Sequence, residues 1–489
     1  MSTTERPLGY STTSPTPAPP TGGRTGAEPR LGPLLALLVA GGLLALLNTT
    51  VTGVAIPDVA ADLDAPLGTV QWVGTAYVLA VAVAIPVSGW ASIRFGTRAP
   101  WLAALALFGV GAAASAAAWS LPALVVARAV QGFGGGMLEP LMLTTVATLA
   151  GPARMGRIMG LVAGAIGIGP LLGPLLGGVA VDAVGWRGLF VAFVVAAAAV
   201  LLVSWRALPA GTPLDPSQRL DRVGLGLLSL GSVAILVGLA QTSEGGGALA
   251  VAGPIVVGLA VLAVFARHAV GRGSAAVVDV TVLRHPTVLS ATLVMLTLGL
   301  AIYPLFYGLP QFFQGVRGYG VLASGLLLAP QGAGSLVGMI VGGRLSDRVS
   351  ARVLVPSGAT AVVAGMAVYL VAGPTAPLAV LVVASVVAGL GVGFVGGPTT
   401  SSLYRVLTPR EIPNATTTLF VANQLGGAVG IAVLTGIITA TGGAHASGWT
   451  VASGGTPFWL PVLAGLAVAV GGLWLPRAGA PSGAETPAQ

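Results

Sequence analysis

Apolar stretches recur along the chain from Leu34 to Leu475 and are separated by short polar connections. Each stretch has about twenty residues, which is enough for an α-helix to cross a hydrocarbon core about 30 Å thick. Lipid offers no partners to open backbone groups, so these stretches must be helical. The pattern predicts an all-α integral membrane protein with fourteen transmembrane helices, at 33–57, 68–90, 99–118, 121–147, 157–181, 186–205, 223–241, 247–266, 288–310, 322–343, 353–372, 375–397, 415–440 and 457–475.

Composition excludes several other classes of protein. Hydrophobic residues make up 55% of the chain and charged residues 7%, against about 25% in an average soluble protein. The absence of cysteine excludes disulfides and thiolate sites. The three histidines, His268, His285 and His445, are too scattered to form a metal site, and no nucleotide-binding loop or catalytic serine motif is present. The sequence therefore predicts no cofactor, no metal and no enzymatic activity.

The basic residues indicate the orientation of the helices. The net charge is +8, but the arginines stand singly in connections and form no patch for nucleic acid. Arg187 and Arg317 fall in predicted outer connections and Arg128 within a span, whereas all the others fall on the opposite side. The positive-inside rule then predicts a multi-pass protein of the plasma membrane with both termini cytoplasmic. Residues 1–32 and 478–489 are predicted to be cytoplasmic tails, the first of them disordered.

Two internal repeats indicate a duplication. The segment Gly89–Arg94 resembles Gly343–Arg348 at an offset of 254 residues, and Gly132–Gly136 resembles Gly389–Gly393 at an offset of 257. Matching offsets predict two pseudo-symmetric six-helix bundles, 33–206 and 286–477, with two inserted helices and their loops in 207–285. Such parallel halves place a substrate site at their interface near the middle of the bilayer.

Ordered motifs give the chain a family resemblance. Predicted helix 5 carries small residues and prolines at regular spacing, Gly169, Gly173, Pro174, Gly177 and Gly178, and predicted helix 4 carries Arg128-Ala-Val-Gln131-Gly132. With these motifs the chain resembles the fourteen-helix drug:proton antiporter family of the major facilitator superfamily over nearly all of its helices. The resemblance implies export of drugs or antibiotics by proton antiport with alternating access. Close helix packing alone also explains the glycines.

Arg128 and Glu139 are the candidate proton-coupling residues. The resemblance implies a coupling role for Arg128, and a guanidinium within a span must face a cavity or a partner. Backbone carbonyl groups that tie it in place would explain it equally. Glu139 lies eleven residues further along the same face, about 16 Å away. A carboxyl group in a dry cavity can cycle a proton, although a static ion pair or a hydrated gate residue would also suit Glu139.

Two positions depart from the family pattern. Asn48 occupies the place of an aspartate that commonly binds a proton or cation, and an amide does not titrate. Ile93, in the loop motif that contains Gly89 and Arg94, replaces an aspartate that normally caps a helix and pairs with arginines to hold the outward-facing state. The second copy of the loop keeps the acid and its neighbour, Asp347 and Arg348.

The predicted cavity is rich in aromatic and amide side chains. The residues predicted to contact substrate are Asn48, Tyr77, Gln131, Tyr303, Phe306, Tyr307, Gln331, Asn423 and Gln424. The amides would equally serve to bind helices together, and Trp72, Phe312 and Phe313 fit an interfacial aromatic belt better. The scarcity of charge favours amphipathic drugs, natural products or lipids over phosphates, dicarboxylates or peptides.

The expected partners are a small-molecule substrate, protons and the lipid bilayer, with the protein acting as a monomer. Alternatives are a dedicated exporter of one endogenous antibiotic or lipid, with or without proton coupling, and, more remotely, a membrane-embedded enzyme or receptor. A channel is disfavoured because no ordered ring of charges or carbonyl groups is visible in the sequence.

Overall fold

The computed structural model describes residues 31–70, 72–150, 155–243, 247–408, 411–442 and 454–476. The predicted tail 478–489 lies outside these residues. The predicted tail 1–32 also lies outside them, except that Leu31 and Gly32 already belong to the first helix. Within the described ranges the regular elements are all helical.

The first half contains six long helical segments and one short helix, Leu67–Val70, among the described residues. Four are α1 (Leu31–Asp62), α2 (Trp72–Phe95), α3 (Arg98–Ala116) and α4 (Leu121–Ala150). A helical run then extends over Met155–Ala207, and Gly185, with φ 70° and ψ 173°, divides it into α5 (155–184) and α6 (186–207). A residue with a side chain rarely adopts this conformation, so glycine makes the turn between the two segments.

Eight further segments follow: α7 (Arg222–Ser243), α8 (Ala248–Arg272), α9 (Pro286–Gln311), α10 (Ala329–Leu345), α11 (Ala351–Ala372), α12 (Leu378–Tyr404), α13 (Ile412–Gly442) and α14 (Trp459–Gly472). α10 begins later than predicted, because a separate short helix covers Val321–Leu326 and the longer one starts with Pro330 in its first turn. Proline suits the start of a helix, where its missing N–H group is not needed.

Ten helices in the described residues are long and apolar enough to cross a membrane. Shorter apolar stretches lie at Gly32–Asn48, Arg222–Gly238 and Thr456–Gly472. The chain is therefore a helical multi-pass membrane protein.

The helices of the two halves pack in corresponding pairs. In the first half α4 packs against α2 and α3, and in the second half α12 packs against α10 and α11. α3 packs against α6 through a hydrogen bond from Trp101 Nε1 to Ser204 Oγ at 3.0 Å, and α11 packs correspondingly against α14. Each half thus repeats the same order of neighbours.

The halves meet along two seams. α13 contacts α2 and α4 on one side, whereas α10 and α12 contact the run 155–207 on the other. α7 lies over the first seam, where it contacts both α2 and α13, and α8 packs mainly on α7. The inserted helices therefore form a hairpin that covers one seam.

Most described arginines lie at one end of the molecule, which we call the arginine-rich end. They include Arg94, Arg98, Arg206, Arg272, Arg344, Arg352 and Arg405. Near this end Gly89 of α2 packs so closely on α13 that a Cβ atom there would overlap Thr417 Oγ1 and would lie 3.5 Å from the Pro413 carbonyl oxygen. The two halves are therefore in contact here.

Candidate functional site

Arg128 lies on α4 inside the first bundle and is 1% exposed. Its Nη1 donates to Asn48 Oδ1 of α1 at 2.5 Å and to Gln131 Oε1 of α4 at 2.6 Å. Its Nε donates to the Val73 carbonyl oxygen of α2 at 3.2 Å, and the guanidinium carbon lies 4.4 Å from the ring centre of Tyr77. Neutral acceptors and an aromatic face thus hold this charge inside the bundle.

The two amides around Arg128 keep unused donors. Asn48 Nδ2 and Gln131 Nε2 are buried and have no hydrogen-bond partner in the described part of the chain. Because arginine offers only donors, both amides turn their oxygen atoms toward it. No ion pair among the described residues includes Arg128, so it is not paired with Glu139.

Asn48, Tyr77 and Gln131 are all buried around Arg128, so none of them lines an open cavity in this structure. Their contact with substrate stays a prediction. The sequence analysis did not single out Val73 or Phe190, whose ring centre lies 5.5 Å from the guanidinium carbon. Neither residue is marked by the sequence. Val73 acts through its carbonyl group, which every residue has, and phenylalanine is common within apolar spans.

Glu139 occupies a different environment from Arg128. It is only partly buried, and no hydrogen bond or ion pair links it to another described residue. Its carboxyl group lies within electrostatic range of the Tyr303 hydroxyl group of α9, in the other half. That hydroxyl group donates to Gln424 Oε1 of α13. The carboxyl group, the phenol and the amide therefore lie near one another where the two halves meet.

The other candidate residues of the second half have separate surroundings. Asn423 Nδ2 donates to the Met295 carbonyl oxygen of α9 at 3.0 Å, so this amide binds two helices together. Phe306 and Tyr307 are half-buried on the same helix as Tyr303. Gln331 is 1% exposed, and neither its Nε2 nor its Oε1 has a partner within the described residues. Its role in binding stays a prediction.

The interpretation of Phe312 and Phe313 as an interfacial belt is wrong. Both side chains are buried, and they pack edge-to-face on each other and on Tyr369. The ring of Phe458 completes the cluster. A π-helical turn over Phe312–Val316 ends α9 and forms part of this arrangement. Trp72, in contrast, is 43% exposed, as a belt residue would be.

The glycine and proline motif of predicted helix 5 lies within α5. The backbone is helical through Gly169, Gly173, Pro174, Gly177 and Gly178. The side-chain surroundings of residues 163–178 lie outside the described part, so the role of the motif stays a prediction.

The two copies of the loop motif differ in their contacts. Arg94 Nη1 donates to the Gln218 carbonyl oxygen at 2.5 Å. In the second copy Asp347 Oδ1 accepts from Arg405 Nη2 at 2.6 Å, and Arg348 is exposed. The partner of Asp347 thus comes from the end of α12, and the sequence analysis did not foresee it.

A small cavity of about 50 Å³ lies in the seam beneath α7. Apolar side chains of α2, α7 and α13 form most of its wall, together with Ser232 and Gln424. Gln424 also holds Tyr303, so this amide stands between the seam and the site around Glu139.

Comparisons with known proteins identify similar sequences. The model of the Major Facilitator Superfamily matches residues 38–431. The "Multidrug resistance protein B homolog" of Mycobacterium tuberculosis (strain ATCC 25618 / H37Rv) is 32% identical over 406 residues, which is 82% of this chain and 75% of that protein. The "Puromycin resistance protein pur8" of Streptomyces alboniger is 30% identical over 426 residues, which is 86% of this chain and 84% of that protein.

Solved structures share the fold. The proton:xylose symporter XylE bound to 6-bromo-6-deoxy-D-glucose aligns with a TM-score of 0.64 over 89% of this chain and 94% of that one. Its sequence identity is 17%, so the likeness concerns the fold alone.

Proposed function

Because the chain belongs to the major facilitator superfamily, we propose that it exports amphipathic or hydrophobic small molecules by proton antiport with alternating access. Relatives described as multidrug resistance and puromycin resistance proteins support this class of cargo. The half-buried aromatic residues of α9 and the neutral amides of α13 also support it, since they suit apolar or amphipathic ligands better than multiply charged ones.

The proposal of proton coupling rests on the position of Glu139 within α4. Antiport requires a group that binds a proton in one state and releases it in the other. Asn48 cannot titrate, and Arg128 is held by neutral acceptors inside the first bundle. Glu139 remains as a carboxyl group on a partly buried residue within a helix, near the meeting point of the two halves. An ionisable group at that depth is functional by default.

The proposal includes a topology. Fourteen helices, α1 to α14, would cross the plasma membrane, with the arginine-rich end and both termini in the cytoplasm. The distribution of arginine supports this orientation through the positive-inside rule. The contact between Gly89 and Thr417 would then close the cytoplasmic side in this state.

The test is transport into inside-out vesicles under an imposed pH gradient, with the parent and Glu139→Gln compared on puromycin and a panel of amphipathic dyes. Gradient-driven uptake by the parent should fall to the background level in the variant. Counterflow exchange of the same cargo, which needs no net proton movement, should be retained, because the amide keeps the size and polarity of the side chain.

Glu411→Gln is the matched control. Glu411 is exposed at the arginine-rich end, and its carboxylate accepts hydrogen bonds only from Thr408 among the described residues. This variant should transport like the parent. Gradient-driven uptake by Glu139→Gln at the parent rate would remove Glu139 as the coupling residue. Uptake by the parent that does not depend on the pH gradient would favour a dedicated exporter that works without protons.

A further inference from the structure

The connection between α6 and α7 folds back over the turn between α2 and α3. We call residues 208–221 the strap. The backbone N–H groups of Leu214 and Asp215 both donate to the Ile93 carbonyl oxygen, at 2.9 and 3.1 Å. Two donors on one acceptor hold the strap at the last turn of α2.

Side chains of α2 make a second attachment to the strap. Arg94 Nη1 and Trp90 Nε1 both donate to the Gln218 carbonyl oxygen, at 2.5 and 3.3 Å. The strap presents this oxygen after a local turn in which Asp215 Oδ1 accepts from the Ser217 backbone N–H group at 2.9 Å. The attachment therefore uses a charged donor and a backbone acceptor, which is among the stronger kinds of hydrogen bond.

A third contact brings two glycines together. Gly96, with φ +74°, begins the turn between α2 and α3, and a Cβ atom there would lie 2.6 Å from the Gly211 carbonyl oxygen. A Cβ atom at Gly211 would lie 3.0 Å from the Thr97 backbone nitrogen. No side chain fits at this crossing without displacing the strap.

The strap attaches at Ile93, the position that corresponds to Asp347 in the second copy of the motif. The side chain of Ile93 is buried and offers no charge, but the carbonyl group of the same residue receives both backbone donors. One helical turn earlier, Gly89 meets Thr417 and Pro413 of α13. The orientation of this end of α2 therefore decides whether the halves touch at the arginine-rich end.

In the second half a charged pair holds the corresponding turn. Asp347, in the matching copy of the motif, pairs with Arg405 at 2.6 Å, and Arg405 also donates to the Ser346 carbonyl oxygen at 2.8 Å. The two halves thus hold equivalent turns by different chemistry. One uses an ion pair between side chains, and the other uses hydrogen bonds to backbone carbonyl groups of the strap and of Ile93.

We propose that the strap positions the end of α2 against α13 and replaces, through its backbone donors and acceptor, the carboxylate that position 93 lacks. Leu214, Asp215 and Gln218 are positioning residues in this account, since they act through α2 and touch no cargo. The inference goes beyond the transport function and does not depend on which molecule is carried.

The test uses the absence of cysteine from the chain. A single Thr417→Cys, at a side chain that is 1% exposed, reports when α2 leaves α13. Its rate of maleimide labelling is measured in detergent, alone and combined with Gly96→Ala, which pushes on the strap. We expect about tenfold faster labelling, equivalent to about 1.4 kcal/mol. Gly318→Ala is the control, because Gly318 also has positive φ, +70°, but has no atom within 4 Å of its Cβ position.

Arg94→Leu is the second variant and removes the charged bond to Gln218. Arg348→Leu, its counterpart in the internal repeat, is the control. A separate Ser115→Cys reporter, buried on α3, should stay protected in every variant if only the contact between α2 and α13 is affected. Parent-like labelling of the Thr417→Cys reporter in both Gly96→Ala and Arg94→Leu would overturn the proposal. Equal acceleration of the buried α3 reporter would overturn it as well, because the strap would then serve general stability.

Discussion

Arg128 shows how a charge can be kept within an apolar bundle without an opposite charge beside it. Its partners are two amide oxygens, one carbonyl oxygen and two aromatic faces. Charge–dipole hydrogen bonds of this kind offset the cost of burial, which for an unpaired charge is several kcal/mol. Because none of these partners titrates near neutral pH, the charges around Arg128 do not change with pH in that range.

The unused amide donor of Asn48 leads to a prediction. Replacement by aspartate loses no hydrogen bond, since Nδ2 has no partner in the described residues, and places a negative charge 2.5 Å from the guanidinium group. Asn48→Asp should therefore keep or raise the melting temperature measured in detergent at pH 7. Asn423→Asp is the matched control and should lower it by several degrees, because Asn423 Nδ2 donates to the Met295 carbonyl oxygen. An equal loss in both variants would show that the charge of Arg128 is balanced in another way.

The sequence predicted that Arg128 needs a partner, and the reason is general, since lipid does not solvate a charge. It did not predict that Val73 and Phe190 would help, because their contribution depends on how α2 and α6 approach α4. For the same reason Phe312 and Phe313 were misinterpreted. Their position near a helix end suggested an interface, but a π-helical turn brings them into a buried cluster with Tyr369.

Among the helices, the inserted hairpin of α7 and α8 has its own internal support. At its arginine-rich end Asp221 caps α7 by accepting from the Gly224 N–H group at 3.0 Å, and both carboxylate oxygens lie 3.0 Å from His268 Nε2 of α8. Burial alone would raise the pKa of Asp221. The Gly224 N–H group, His268 and the charge of Arg272 outweigh burial and hold this pKa below its ordinary value.

A carboxyl group with a lowered pKa stabilises the fold above its unfolded pKa of about 3.9, and this contribution is lost as the pH falls through the lower folded value. Asp221→Asn keeps the cap but removes the charge. It should cost roughly 1.5–3 kcal/mol of unfolding free energy. The melting temperature should lie below that of the parent at every pH above about 4, and the gap should close only below that value.

Asp279→Asn is the control for this change. Asp279 also caps a helical turn, by accepting from the Thr281 N–H group at 2.9 Å, but it forms no ion pair in the described part of the chain. The melting temperature of Asp279→Asn should be close to that of the parent. A drop as large as that of Asp221→Asn would mean that the pairing with His268 adds nothing.

Helix positions were largely predictable and helix ends were not. Hydropathy locates the stretch that lipid would surround, but α1 continues to Asp62 and α12 to Tyr404, beyond the apolar cores. Serine, threonine and aspartate continue a helix once tertiary contacts hold it, so composition alone does not mark the end. Apart from its prolines, the sequence of the strap did not indicate its attachment to α2. The strap binds Ile93 and Arg94 through its own backbone atoms, which every residue has.

In the whole molecule, the two halves are in contact where α10 packs on the run 155–207 and where Gly89 meets α13. The repeat offsets predicted the duplication, and the packing pairs of the halves correspond. The offsets contained no information about the seams, which depend on the relative orientation of two separate bundles. α7 covers one seam and shares the contact with Gln424, so the insertion is part of the wall around the candidate site.

Proton antiport requires that cargo and protons move in opposite directions through one protein. Its most direct test is a cargo gradient imposed across proteoliposomes that contain a pH-sensitive dye and have no initial pH difference. We expect outward cargo flow to drive protons inward in the parent, and we expect Glu139→Gln to abolish the proton movement while exchange of labelled cargo continues. Cargo flow in the parent without any change in internal pH would contradict proton antiport.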